Sequence, residues 1–397
     1  MLSLQFAMLS SEEKMNDKRY LFCIGTRPEI IKMAPVFQSL KRAEKEISIL
    51  HTGQHGSVAN DLYRFFGMLP NVSLDLRRSS NSLGSLTSAL FEKVENALLQ
   101  LKPDVVLVQG DTTSAFVGAT LGYYHRKPVA HVEAGLRTHE HDPFPEEKNR
   151  EMIGRLAQWH FPPTPRASKN LRQEGIADDS IFEVGNTVID AAQWTLDKIK
   201  ADSAELIREL PAGLAAFLEK MKHSRKILIT AHRRENWGQP IRNIALAVAR
   251  IVEEFPDVVA IWPVHPNPSV RDDVERGLSE LSPSLRGRIF LAEPLPYPAL
   301  IYLLDLCAFT LTDSGGIQEE ASAFAKPVLV ARESTERQEL INGGGAKLVG
   351  TDVELTLAEA GKLLSSEAYY RSMQVSQSPF GDGKAGERIA KVLGRFS

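Results

Sequence analysis

Thr312-Asp313-Ser314-Gly315-Gly316-Ile317-Gln318-Glu319-Glu320 reads as the end of a β-strand, a glycine turn and the start of a helix. Two adjacent glycines let backbone N–H groups approach an anion with no side chain in the way. The free amides and dipole of the following helix then favour negative charge. Glu320, one turn into that helix, is placed to accept from the hydroxyls of a ribose. The same nine residues also fit an ordinary strand-to-helix turn of an α/β protein, so the surrounding chain has to decide.

Outward from this stretch, short β-branched runs alternate with amphipathic helical stretches. Strands are expected at 20–25, 46–51, 104–109, 128–133, 158–161 and 180–184, and again at 226–231, 257–262, 287–291, 307–312, 327–331 and 347–350. Continuous apolar strands such as Val105-Val106-Leu107-Val108, separated by helices, indicate parallel sheets covered on both faces. The charged, helix-prone stretch from Asp197 to Ser224 divides the two sets, with a hinge near Gly185-Asn186-Thr187. The expected fold is α/β, with two Rossmann-like doubly wound domains (19–187 and 188–377) facing across a cleft. An extension (1–18) precedes them, and a final helix within 378–397 packs back on the first domain. Ligands of such sheets bind at the carboxyl ends of the strands, so a motif just past a strand carries weight.

Composition narrows the function. At 397 residues, with 43% hydrophobic and 24% charged residues, the chain has material for two cores. A net charge of −3 supplies no general basic patch, and nucleic acid is not expected as a partner. Two cysteines, Cys23 and Cys307, sit in apolar runs of different halves. They read as buried thiols of a protein in a reducing compartment, the cytoplasm. No apolar run approaches the 18 residues of a membrane span. The first 18 positions lack a basic head and a cleavable apolar core, so they read as a disordered extension or an upstream start and not as a signal peptide.

The remaining motifs follow strands. Gly25-Thr26-Arg27-Pro28-Glu29-Ile30-Ile31-Lys32 stands where a dinucleotide fold would carry three glycines. That fingerprint is absent, which disfavours NAD and a hydride mechanism. Arg27 and Lys32 could instead set two cations beside a diphosphate, or cap a helix and face water. Gly110-Asp111-Thr112-Thr113, His131-Val132-Glu133-Ala134-Gly135-Leu136-Arg137 and Pro145-Glu146-Glu147-Lys148-Asn149-Arg150 gather carboxylates. Neighbouring parallel strands would bring Asp111 and Glu133 to one rim, and carboxyls in different environments can be tuned as acid and base. His232-Arg233-Arg234-Glu235 offers a proton donor and cations for a diphosphate. His265 stands after the next strand. The two histidines lack the cysteines or nearby carboxylate that a metal site would need, and His139-Glu140-His141-Asp142 reads as a solvated lid loop, so no metal and no cofactor is expected.

Together with Gly185-Asn186-Thr187-Val188-Ile189-Asp190 and Asp313-Ser314-Gly315-Gly316-Ile317-Gln318-Glu319-Glu320, these motifs resemble, in order and spacing, the non-hydrolysing UDP-N-acetylglucosamine 2-epimerases over roughly residues 20 to 395. The resemblance implies the paired-domain arrangement of glycogen-phosphorylase-like glycosyltransferases and a homodimer. It also implies interconversion of UDP-N-acetylglucosamine and UDP-N-acetylmannosamine for surface polysaccharide synthesis. Residue by residue, it assigns Asp111, Glu133 and Glu146 as acid/base carboxylates and His232 to the departing phosphate. Arg27, Lys32, Ser314, Gly315 and Gly316 become phosphate or substrate contacts, Glu320 the ribose contact and Arg337 a further contact on the UDP side. Arg150 and Arg233 join the candidate substrate contacts.

The match is looser at two places. Leu295 and Leu300 stand in the loop expected against uracil, where relatives often carry a glutamine and an aromatic. Gln54 and His55 match contacts to an activating second UDP-N-acetylglucosamine, and His265 is grouped with them. Ser57 and Ser80 replace other expected residues of that site. An epimerase of a modified UDP-sugar, a retaining glycosyltransferase and a nucleotide-sugar sensor without turnover remain alternatives at this level.

Overall fold

The computed structural model describes residues 18–54, 59–76, 80–202, 210–211 and 213–395. All of the expected N-terminal extension except Lys18 lies outside these residues, as do His55 and Ser57. The chain divides into two compact units. One runs through Ala191 and takes in the segment from Gly383 onward, and the other spans Ala192–Asp382.

The first unit is built on six parallel strands: β1 (Arg19–Ile24), β2 (Glu46–His51), β3 (Val72–Ser73), β4 (Val105–Gln109), β5 (Val129–Val132) and β6 (Trp159–Phe161). They lie in the order β3-β2-β1-β4-β5-β6. Every residue of β4 is buried, as expected of a strand covered by helices on both faces. On one face Leu21, Cys23, Val106 and Val108 pack with Leu90, Val94 and Leu98 of the helix Leu83–Leu101. Each such side chain contributes roughly 1.5–3 kcal/mol by leaving water. The strand order reverses between β1 and β4. The turns after these two strands therefore diverge, which is where such a sheet leaves room for a ligand. The register pairs Gln109 with Val132 and so sets Gly110-Asp111 beside Glu133.

The second unit repeats the plan with β7 (Arg225–Thr230), β8 (Val258–Pro263), β9 (Ile289–Ala292), β10 (Phe309–Thr312), β11 (Val328–Val330) and β12 (Ala346–Leu348). Their order is β12-β11-β10-β7-β8-β9, the same winding counted from β7. Thr312 pairs with Thr230, so the loop at His232 and the turn at Asp313-Ser314 leave the sheet side by side at its reversal point.

One expected strand is corrected. Residues 180–184 form no strand; Ile181 makes a single bridge to His160, and Val184 N–H donates to Pro162 O at 3.1 Å. Pro162 and Pro163 follow β6 and have no N–H, so a reciprocal ladder cannot continue there. The sixth strand is instead β3, two residues at the opposite edge, which pairs Leu50 with Val72 and His51 with Ser73.

The terminal helix Ala385–Arg395 packs on the helix Arg27–Arg42. Gly386 N–H donates to Asp190 Oδ1 at 2.8 Å and Arg388 Nη1 to Val184 O at 2.9 Å. Among the described residues no helix is long and apolar enough to cross a membrane.

Candidate functional site

The reversal point of the first sheet is held by a buried acid. Glu29, 1% exposed, accepts from Gly25 N–H at 3.0 Å after β1 and from Thr112 Oγ1 at 2.8 Å after β4. Burial pushes its carboxyl up to about 7. Thr112 also caps the helix Thr113–Tyr124, accepting from Ala115 N–H at 3.0 Å. The β1 turn presses so close that a Cβ on Gly25 would stand 2.2 Å from Ser114 Oγ, which only glycine allows. Arg27 opens the helix Arg27–Arg42, with Pro28 in its first turn. Its Nε is buried and has no hydrogen-bond partner among the described residues.

Charged side chains then meet across this rim. Glu133 leaves β5 with φ +64°, a left-handed conformation that costs a non-glycine residue on the order of 1–3 kcal/mol. Its Oε1 is in contact with Lys32 Nζ and accepts from Asn186 Nδ2 at 3.3 Å, and its Oε2 accepts from Gln109 Nε2. Asp111, one residue past Gly110, has Arg150 Nη2 at 2.8 Å from its Oδ2. Burial is the main reason its carboxyl is pushed up to about 6. Arg150 and Lys32 pull it down, while Glu133 and Glu146 push it further up.

Five candidates from the sequence, Lys32, Asp111, Glu133, Glu146 and Arg150, therefore act on one another. Glu146 opens the helix Glu146–Leu156 and Arg150 lies one turn on. Between them Glu147, wholly buried, accepts from the N–H groups of Thr138 at 2.9 Å and His139 at 3.0 Å, and lies 3.4 Å from Arg150 Nη1. It anchors both the 138–145 loop and the arginine.

The reversal point of the second sheet is organised around backbone. Ser314 caps the helix Gly315–Ser322, and Ser314 N–H donates to Thr312 Oγ1 at 3.0 Å. The first N–H groups of a helix have no partner within it, and Gly315 and Gly316 carry two of them. The Arg337 guanidinium lies over Gly315, where a Cβ would stand 2.7 Å from its Cζ. Glu319 fixes that guanidinium, accepting from Nε at 2.9 Å and approaching Nη2 at 2.8 Å.

Asp313 is fully buried. Its Oδ2 accepts from the N–H groups of His232 and Arg233, each at 2.9 Å, and from Asn236 Nδ2 at 3.0 Å. One carboxylate oxygen thus shapes the loop that carries His232 and Arg233. His232 itself is half exposed, with Nδ1 3.5 Å from Asp313 Oδ1. Glu320 is buried against Tyr297 in the first turn of the helix Tyr297–Leu306; burial and then the Glu320 carboxylate raise that phenol well above its usual range. Leu295, buried, precedes this helix and Leu300, half-buried, lies in it, which ties the expected base-side loop to Glu320.

Of the candidates for a regulatory site, Gln54 lies in the first unit and His265 in the second. Gln54 Oε1 accepts from Ser114 Oγ at 2.7 Å beside the first rim, and His55 lies outside the described residues. His265 packs on Trp237 with ring centroids 5.8 Å apart, and the Trp237 indole donates to His232 O at 3.2 Å. No sequence signal assigned a role to Glu29, Gln109, Glu147 or Asp313, although each is an acid or amide at a strand end or first helical turn. A polar group buried there must find donors or acceptors, and that rule alone would have marked them.

The profile of the family described as UDP-N-acetylglucosamine 2-epimerase matches residues 38–394. The UDP-N-acetylglucosamine 2-epimerase of Yersinia pestis is 40% identical over 380 residues, covering 94% of this chain and 98% of its own. The structure of UDP-GlcNAc 2-epimerase from Neisseria meningitidis bound to UDP-GlcNAc superposes with a TM-score of 0.84 at 37% identity, over 95% of this chain and 100% of its own. That of the Methanocaldococcus jannaschii enzyme in complex with UDP-GlcNAc and UDP gives 0.75 at 33% identity, over 95% of this chain and 99% of its own. With like folds, and with charged and glycine-rich rims at the reversal points of both sheets, this chain belongs to the UDP-N-acetylglucosamine 2-epimerase family.

Proposed function

We propose that this chain interconverts UDP-N-acetylglucosamine and UDP-N-acetylmannosamine by eliminating UDP to a 2-acetamidoglucal and adding it back with C2 inverted. The C2 proton is not next to a carbonyl, so its direct removal would leave an unstabilised carbanion. Departure of UDP from C1 as the C2 proton leaves avoids that. The step needs acid/base groups for both faces of C2, together with donors and cations for the departing diphosphate.

The observation that carries this reading is the contrast between Asp111 and Glu133. The Asp111 carboxyl is pushed up to about 6 beside Arg150, while Glu133 is held by Lys32 and two side-chain amides. A carboxyl raised by burial next to a second one held by a lysine and two amides on the same rim fits proton transfer in both directions. Glu146 is the third acid/base candidate. The Ser314 hydroxyl and the amides of Gly315 and Gly316, with Arg337, Arg233 and His232, suit a diphosphate that must leave and return. Arg27, Lys32 and Arg150 suit the sugar and phosphate side. Glu320 suits the ribose, and Leu295 and Leu300 the base. Two buried thiols, Cys23 and Cys307, support a reducing, cytoplasmic setting. The family resemblance supports a homodimer and a role in surface polysaccharide precursor supply.

The test is solvent exchange. UDP-N-acetylglucosamine incubated with the enzyme in heavy water, with no acceptor present, is expected to gain deuterium at C2 in both epimers. A protein that consumes UDP-sugar without C2 exchange would be a transferase or hydrolase, and the proposal would fall.

A further inference from the structure

We propose that Asp313 is a positioning residue for His232, holding a proton on Nδ1 so that Nε2 is the nitrogen that gives a proton to the departing diphosphate and takes it back. The role at the diphosphate rests on the function proposed above; the placement of the proton does not.

Asp313 divides its labour between its two oxygens. Oδ2 accepts three donors and shapes the loop. Oδ1 is buried, has no hydrogen-bond partner among the described residues, and lies 3.5 Å from His232 Nδ1. A carboxylate only accepts, so the ring nitrogen facing it is favoured as the one that carries hydrogen. A formed N–H···O bond is shorter than this. The His232 side chain is 49% exposed, and catalytic hydrogen bonds that are long without substrate tighten when it arrives. With Nδ1–H held, Nε2 can take a second proton, pass it to a phosphate oxygen as the C1–O bond breaks, and recover it on re-addition. That proton reaches Nε2 from solvent before the step and ends on UDP, the C2 proton goes to a carboxylate base, and both transfers reverse on re-addition.

A residue that only braced the loop would need Oδ2 and nothing else. Asp313→Asn separates the two roles. The amide oxygen has to stay on the three donors, which turns the amide nitrogen toward His232, where it donates to Nδ1 and forces the proton to Nε2. The experiment is ¹⁵N NMR of the full chain labelled in its histidines, with His232 assigned by its loss in His232→Gln. At a pH where the ring is neutral, the expected result is the Nδ1–H tautomer in the natural protein and Nε2–H in Asp313→Asn. The variant should bind UDP within about threefold and epimerise about 100-fold more slowly, the lower range for losing a positioned proton donor. The Nε2–H form in the natural protein overturns the proposal, and needs no variant to do so. Retention of Nδ1–H in Asp313→Asn overturns it as well. If the tautomer switches as expected but heavy water never labels C2, it is the epimerase reading that fails, and Asp313 keeps its role toward His232.

Discussion

The two sheets are wound in the same order, yet their reversal points are built from different materials. In the first unit, side chains meet side chains: Lys32 on Glu133, Arg150 on Asp111 and on Glu147. Buried acids hold backbone in both, Glu29 and Glu147 in the first, but in the second they also shape the histidine loop and fix a cation over a glycine turn. Asp313 binds the N–H groups of His232 and Arg233, and Glu319 pins Arg337 over Gly315. Mutually tuned carboxyls and cations suit proton transfer, whereas fixed amides and a helix terminus suit a phosphate that must be held and released. One topology thus presents two kinds of rim, and what differs is which residues stand at the carboxyl ends of the strands.

The largest break in this contrast should come from Glu133→Gln. It is expected to lower C2 exchange by about 10³-fold, within the range for losing a catalytic acid or base, while UDP affinity measured by calorimetry stays within a few-fold. A matching loss of UDP binding would erase the division of labour. Gly315→Ala should do the reverse at smaller scale. The new Cβ has to displace a guanidinium that Glu319 holds in place, so UDP affinity should fall about tenfold, or about 1.4 kcal/mol. The rate at saturating substrate should change less.

A subtler change is expected from Arg150→Gln. The Arg150 cation holds Asp111 below the value that burial alone would give it. Its removal should raise Asp111 above about 6 and move the acid limb of kcat/KM to higher pH. A shift to lower pH would contradict Asp111 acting in its charged form.

The smallest effect concerns stability. Burial lowers His131 to about 3 and His160 to about 4, against about 6.5 in the unfolded chain. The unfolded chain binds more protons across that interval, so this contribution is present above pH 6.5 and is lost as pH falls through it. Glu29, raised to about 7 from about 4.3 unfolded, works the other way, its contribution being lost as pH rises through 7. Urea midpoints between pH 7.5 and 5 should therefore fall more steeply with acid in Glu29→Gln and less steeply in His160→Gln. The differences should be on the order of 1–2 kcal/mol.

What the sequence disclosed follows from what kind of signal each feature leaves. Short, β-branched apolar runs such as Val105–Val108, each followed by a helical stretch, announced buried parallel strands. Val72–Ser73 is too short to show any period. Residues 180–184 carry the β-branched and aromatic residues of a strand, but two prolines beside them deny the ladder its donors. At the rims, the charged residues that the fold gathers, such as Lys32, Asp111, Glu133 and Arg150, belong to motifs dense in charge and glycine and can be picked out from the sequence. Glu29, Glu147 and Asp313 were printed in the same motifs without a visible role. Glu147 folds back the nearby 138–139 loop, while Glu29 takes the Thr112 hydroxyl 83 residues later and Asp313 the N–H groups of a loop about 80 residues earlier in the chain. Contacts of that range leave no local pattern. Glu133 is similar, since its left-handed backbone is set by the end of β5 and not by its own propensity.

The central claim is that UDP leaves C1 while a rim of carboxyls exchanges the C2 proton. It is tested most directly with UDP-N-acetylglucosamine carrying ¹⁸O in the bridge between C1 and phosphorus, turned over in heavy water and analysed for both labels in recovered substrate. Departure of UDP should give deuterium at C2 together with ¹⁸O scrambled into non-bridging phosphate positions. Deuterium at C2 with the bridge label fully retained would show that C2 inverts without departure of UDP, and would contradict the account.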